Sequence, residues 1–519
     1  MIFILMLLCF FLRAIPRLRL KNVFLSDTYF HLYCSEVIRK NSFRLPIKLP
    51  RVILNHNFTY PFLYHYLLAV FPPQYRLWME RLTGAIFDTI SVGLVYLFSL
   101  WAIQQGRDIV FQKEVPILIA AFYAFSPGLL RLGSGPRAYN GSPRVVGETL
   151  YLLHLLTAYY AYRTHSYPCL AVSLLAGATL IITAKFGGQV MLLFGVLFAA
   201  FVSYQYLFVL AACLLLAVVL TKGHAWKVIQ GHIIHSIFYK NHLQAVFLYP
   251  NIRTFRQYLR SLFSAIWKVV RFFRLWEALQ WYYKEQYFLH LLFTIYPQFV
   301  LCFYYILKLY PLNSLDLFLL VWMGAGLIWF FITKFRPFLF LGEGERYLEY
   351  ALFPSIFMMI KYLSGKYELL WVFLIYSIFS AFFFLRHHER KYSPIEQDFN
   401  KSEAVFARLN RLPQGVIFPI GSFHYQTLYR SRFPVLTHGG NIDERLITLD
   451  EFMLVYGNYP YPSEHFHEIV NRYNVSYIVS DASALKYYRE KVIKHSEEFD
   501  QCVHILWETP TLVVGKITK

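Results

Sequence analysis

Charge is what this sequence has least of. Only 15% of its 519 residues are charged, against about 25% in soluble globular chains. Acids are scarcer than bases, with Asp+Glu 30 against Lys+Arg 50. At 57% hydrophobic residues and a mean hydropathy of +0.41, the chain lacks the polar surface to cover a soluble core. A water-soluble enzyme is excluded. Six cysteines (Cys9, Cys34, Cys169, Cys213, Cys302, Cys502) show neither a CxxC pair nor metal-ligand spacing, and read as small buried hydrophobes. Walker A, GxSxG, HExxH and Rossmann fingerprints are missing, as are internal repeats and low-complexity tracts.

What is present is apolar sequence in blocks of membrane-spanning length. The first runs from Met1 to Leu12 and extends through Pro16. Others lie at about 84–103, 115–132, 147–162, 168–184, 186–202, 204–221, 287–307, 314–333, 347–363 and 368–385. The expectation is an α-helical polytopic membrane protein of about eleven spans. After residue 390 the composition becomes that of a globular unit. Strands are expected at 416–420 and 476–480, helices at 462–473 and 483–492, and a hairpin at 504–514. This alternation predicts a small extramembrane α/β domain over 391–519, following a membrane domain over 1–390.

The formal net charge of +20 calls for an anionic partner. No zinc-finger, helix-turn-helix or RNA-recognition signature supports nucleic acid. Membrane lipid head groups and phosphorylated lipid-linked substrates are the anions left. With an odd number of spans, the long segments 20–82 and 222–286, the loops at 132–146 and 334–346, and the C-terminal domain share one face. Chemistry is expected there. Residues 222–286 interleave arginines with aromatics and read as an amphipathic layer on anionic lipid. Histidines at 224, 232, 235 and 242 have no carboxylate or cysteine beside them, which argues against a metal site.

Three constellations on that face carry candidate chemistry. Ser26-Asp27-Thr28-Tyr29-Phe30-His31 puts an acid and a histidine on one side of a helical turn, fit for a general base or a metal ligand. The same residues also suit a helix N-cap. Gly342-Glu343-Gly344-Glu345-Arg346-Tyr347-Leu348-Glu349 is dense in ionisable groups beside a membrane helix, where they are costly unless used. Its glutamates also suit a helix N-terminus. Gly133 to Arg144, with Arg137, Tyr139 and Arg144, is a Gly/Pro loop whose arginine forks match phosphate oxygens or lipid head groups. Lys185, between two apolar blocks, could reach a lipid phosphate, but a snorkelling interface lysine is the favoured reading.

Asp27 in Asp-x-x-x-His just after the first helix resembles integral-membrane glycosyltransferases of the GT-C fold. So does Phe58-Thr59-Tyr60-Pro61-Phe62-Leu63-Tyr64-His65, similar to the Tyr-Pro-x-x-x-His stretch of their first external loop. That family includes oligosaccharyltransferase catalytic subunits and the aminoarabinose and protein mannosyl transferases. The resemblance implies inverting transfer of a sugar from a polyprenyl-phosphate or polyprenyl-diphosphate donor to a lipid, glycan or protein acceptor. In it Asp27 is the base, Glu345 orients the acceptor or holds a metal, and His31 positions Asp27 or touches phosphate. Arg346, with Arg137 or Arg144, neutralises the leaving phosphate. The resemblance also implies a multi-pass protein of the inner or plasma membrane with its active face extracytoplasmic, although a count of basic residues puts that face inside. It admits Mg²⁺ or Mn²⁺, but the segment from Arg137 to Arg144 lacks the paired acids that hold one. No Trp-Trp-Asp motif follows, which argues against peptide N-glycosylation. Two other readings are a flippase for lipid-linked saccharide and a polysaccharide polymerase or ligase.

Overall fold

The computed structural model describes residues 1–22, 26–105, 114–130, 142–242, 255–272, 291–300, 313–363, 366–458, 461–493 and 496–518. Its elements follow the apolar blocks. The helices that matter here are α1 (Ile2–Arg19), α2 (Ser26–Lys40), α3 (Leu63–Val70), α4 (Pro73–Gln105), α5 (Pro143–Thr164), α6 (Tyr167–Thr183), α7 (Lys185–Phe201), α8 (His224–Phe238), α9 (Phe255–Phe272), α10 (Ser314–Ile332), α11 (Glu345–Tyr350) and α12 (Tyr367–Leu409). Local signals set several starts. Ser142 caps α5 with its hydroxyl on the Arg144 amide at 3.2 Å, and Pro143 occupies the first turn where no amide partner is needed. Asn313 caps α10 in the same way, on the Asp316 amide at 2.8 Å.

Among the described residues, α4, α10 and α12 are long and apolar enough to cross a membrane. A fourth crossing appears only if Gln205–Leu220 and His224–His242, which meet at 118°, count as one broken span. The expected count of about eleven is therefore corrected. Hydropathy found the apolar blocks but not their helical length. α6 and α7 have 17 residues each, roughly 26 Å of helix against about 30 Å of hydrocarbon. α1 carries Arg13, Arg17 and Arg19 in its second half. Much of the block expected at 287–307 lies outside the described residues.

The large apolar core joins α4, α5, α6, α7, α10 and the helix Leu352–Leu363, with Trp322, Tyr151 and Tyr159 fully enclosed. Beneath it α1 packs on α4 through a buried ion pair, Arg13 Nε to Asp88 Oδ2 at 2.8 Å, both 1% exposed. α9 is different. Arg256, Arg260 and Arg271 stand on one side, where the Arg271 guanidinium lies 5.5 Å over the Trp267 ring, while Leu259, Ile266 and Val270 are exposed on a neighbouring apolar face.

α12 runs through residue 390 without a break and ends at Leu409, so the change of composition there falls inside one continuous helix. Beyond it, the expected strand–helix alternation is present. β1 (Val416–Pro419), β2 (Val475–Ser480), β3 (Val503–Glu508) and β4 (Val513–Ile517) form one sheet in the order β1-β2-β4-β3. β1 and β2 are parallel, as their helical crossover requires, and β3 and β4 are an antiparallel hairpin.

The sheet does not stop at β1. Residues 433–437 run beside it, with the Ile417 amide donating to Pro434 O at 2.9 Å and the Leu436 amide to Ile417 O at 2.9 Å. On their far side lies the segment between α2 and α3. The Val435 amide donates to Arg51 O at 2.8 Å, the Ile53 amide to Val435 O at 3.2 Å, and the Leu54 amide to Thr437 O at 3.1 Å. Gly439 comes so close that a Cβ there would sit 2.8 Å from Asn55 O. Phe30, Tyr33, Val52, Phe58, Leu428 and Val435 close the junction with apolar contact.

Candidate active site

Four chain segments bring their polar groups to one place. α2 supplies Asp27, exposed in its first turn, and His31 one turn later, buried. The first turn of α5 supplies Arg144. The break between α6 and α7, where Ala184 is extended, supplies Lys185. The turn into α11 supplies Glu343, Arg346 and Glu349, three residues apart and so on one helical side. That turn needs Gly342, whose φ of +96° strains any side chain. These residues, with Tyr60, His232, His235 and Gln189, line a cavity of about 370 Å³.

Within it, Arg346 Nε donates to Glu343 Oε2 at 3.0 Å and its guanidinium lies 5.6 Å over the Phe186 ring. Both contacts hold the fork in one orientation. Arg144 and Arg346 are near enough to repel each other. Glu349 and Glu343 offset part of that repulsion, and the two guanidinium forks remain donors suited to an anion's oxygens. Lys185 adds a third cation. Its Nζ donates to Asn441 Oδ1 at 3.1 Å, and burial, then Arg346, pushes its amine down to about 7. Asn441 in turn donates to Thr59 O at 2.9 Å, and the Ile442 amide donates to His235 Nδ1 at 3.0 Å. The junction with the C-terminal sheet thus braces two lining residues, Lys185 and His235, without itself lining the cavity.

The Asp27 carboxylate, which also lines the cavity, makes no hydrogen bond or ion pair among the described residues. The Tyr60 phenol beside it is pushed up by burial and then by the Asp27 charge. His31 Nδ1 lies 2.9 Å from His65 Nε2, which α3 delivers. Burial holds His31 down at about 3 and His65 well below its ordinary value. Both rings are neutral at physiological pH.

Of the residues singled out in the sequence, Asp27, His31, Arg144 and Arg346 share the cavity. Glu345 does not line it. One residue before Arg346 on a helix, it points about 100° away, and its Oε2 lies 3.4 Å from Lys334 Nζ. Glu343 and Glu349 take the cavity side instead. Arg137 and Tyr139 lie outside the described residues. Sequence reasoning ranked a phosphate contact for Lys185 second to an interface role, and missed the role of His65, which appeared in a motif without its partner. It also missed Asn441, for which no sequence signal exists. Among the described residues no three His, Cys, Asp or Glu side chains group to hold Mg²⁺, Mn²⁺ or another metal ion.

No protein-family model matches this sequence, and no curated protein matches it. Solved structures do. The apo oligosaccharyltransferase of Archaeoglobus fulgidus superposes with a TM-score of 0.56 at 13% identity, over 97% of this chain and 72% of that one. The same organism's oligosaccharyltransferase AglB, in complex with an inhibitory peptide and a dolichol-phosphate, gives 0.54 at 12% identity, over 94% and 70%. Its complex with Zn and sulfate gives 0.54 at 14% identity, over 99% and 72%. With its Asp-x-x-x-His helix, basic cavity and C-terminal sheet, the chain has the fold of the GT-C membrane glycosyltransferases.

Proposed function

We propose that this protein is a membrane glycosyltransferase that moves a sugar from a polyprenyl-phosphate or polyprenyl-diphosphate donor to an acceptor hydroxyl or amide. The single observation behind this reading is one cavity lined by the Asp27 carboxylate, without a partner among the described residues, and by three cations, Arg144, Lys185 and Arg346. The dolichol-phosphate bound by the archaeal neighbour supports a polyprenyl carrier.

Asp27 accepts the acceptor's proton as the acceptor oxygen or nitrogen bonds to the anomeric carbon. The bond from that carbon to the phosphate oxygen breaks on the opposite side, inverting the centre. The electron pair leaves on the phosphate, whose new charge is met by Arg346 and Arg144. Arg137 and Tyr139, in the adjoining loop, complete the donor contacts, and Glu349 takes the acceptor-orienting role first expected of Glu345. The cavity opens on the extracytoplasmic face of the inner or plasma membrane.

Asp27→Asn keeps the shape and removes the base, so transfer from a lipid-linked donor is expected to fall by about 10²- to 10⁴-fold, with expression and melting temperature unchanged. Transfer retained at the wild-type rate in the folded variant would sink the assignment.

A further inference from the structure

The His31–His65 pair determines what chemistry His31 can offer. Both rings are buried, at 4% and 0% exposure, and neutral, so a single proton lies between His31 Nδ1 and His65 Nε2 at 2.9 Å. Two arrangements exist. If His31 Nδ1 donates, the proton of His65 must sit on its own Nδ1. That atom is buried with no hydrogen-bond partner among the described residues. Buried N–H groups left without an acceptor are rarer than under-satisfied acceptors, and such a group costs the desolvation of a donor. If instead His65 Nε2 donates, its Nδ1 is a bare lone pair, and the proton of His31 is driven to Nε2. His31 Nε2 has no partner among the described residues and is not sealed in, while the ring lines the cavity with Asp27 one turn before it.

We infer that His65 is a positioning residue that locks His31 as a neutral Nε2–H donor facing the cavity, so that His31 binds an oxygen of the sugar or phosphate and is not a second base. This rests on the cavity being the transfer site. It assigns one base, Asp27, and one neutral donor beside it, and gives a buried histidine 34 residues away a reason to be a histidine. A donor that never carries charge adds no repulsion against Arg144, Lys185 and Arg346.

The test reads the tautomer directly. The intact protein labelled with ¹⁵N-histidine is expected to show, at pH 7, an unprotonated Nδ1 and a protonated Nε2 for His31, assigned by their loss in His31→Gln. A protonated His31 Nδ1 overturns the inference whatever the activity. Substitution then separates positioning from packing. His65→Gln retains an N–H donor and should keep kcat within about threefold, whereas His65→Leu removes it and should cost about tenfold or more in kcat with little change in KM. Equal losses in both variants, each folded by melting temperature, would also overturn it. Because the tautomer is measured without turnover, loss of the transferase reading through an active Asp27→Asn leaves a distinguishable result.

Discussion

Lys185 carries the clearest pH signature among the cavity residues. Among the described residues its amine is hydrogen-bonded only to Asn441 Oδ1, and it is faced by Arg346, His232, His235 and His438, none of them an anion. With its pKa near 7, it is charged below that pH and neutral above it. The donor phosphate therefore meets three cations in acid and two in base. KM for the lipid-linked donor is expected to rise as pH passes upward through about 7. Lys185→Met should flatten that step at the high KM, and Lys185→Arg should keep KM low to pH 9. A wild-type KM constant from pH 6 to 9 would refute this. The sequence made Asp27, His31, Arg144 and Arg346 legible because ionisable groups are rare in so apolar a chain. It could not rank three glutamates within seven residues, since only the phase of the helix separates Glu345 from Glu343 and Glu349.

Among the elements, α1 and α4 show how an apolar bundle holds charge. Besides the Asp88 carboxylate, the Arg13 guanidinium reaches Ala124 O at 2.8 Å, and Arg17 Nη1 donates to Arg13 O at 2.6 Å. Breaking such a buried pair strands a charge, at about 3–5 kcal/mol, whereas replacing both partners with apolar groups is often neutral. Asp88→Asn is expected to lower thermal stability by that order, and Arg13→Met with Asp88→Leu to recover most of it, as read by thermal unfolding in detergent. A double variant no more stable than Asp88→Asn would count against the pair. Element type was legible in the sequence wherever blocks were long, as in α4, α10 and α12, and in the β-branched runs of β1, β2 and β4. Element length was not. A window of hydropathy averages over the polar hinge at Ala184-Lys185 and over the 118° bend before α8.

At the scale of the whole molecule, the C-terminal domain reaches the cavity through a lining residue, Lys185, which Asn441 holds. Its outermost backbone partners are residues 51–55, and its loop delivers Asn441 to Lys185. Gly439→Val places a side chain against Asn55 O and Leu49 Cδ1, within 3 Å. The two segments must part, so amide exchange at Ile53 and Leu54 should quicken and KM for the donor should rise, with the β1–β4 amides still protected. Unchanged exchange at Ile53 would show that the seam does not depend on this contact. The composition change near residue 390 pointed to a separate domain. Nothing in it told of this seam, because backbone pairing leaves no mark on side-chain pattern.

The same seam sets an order of events during biosynthesis. Arg51 and Ile53 are exposed to the environment early, yet their partner, Val435, is nearly 400 residues downstream. Long-range pairing of this kind forms late. At ribosomal speeds of about 5–20 residues per second, the newborn chain spends tens of seconds with its helices inserted and its Asp27 segment unanchored. A truncated nascent product therefore reaches the membrane without a finished pocket. The Asp27 segment gains its far-side backbone partners only once the chain is nearly complete.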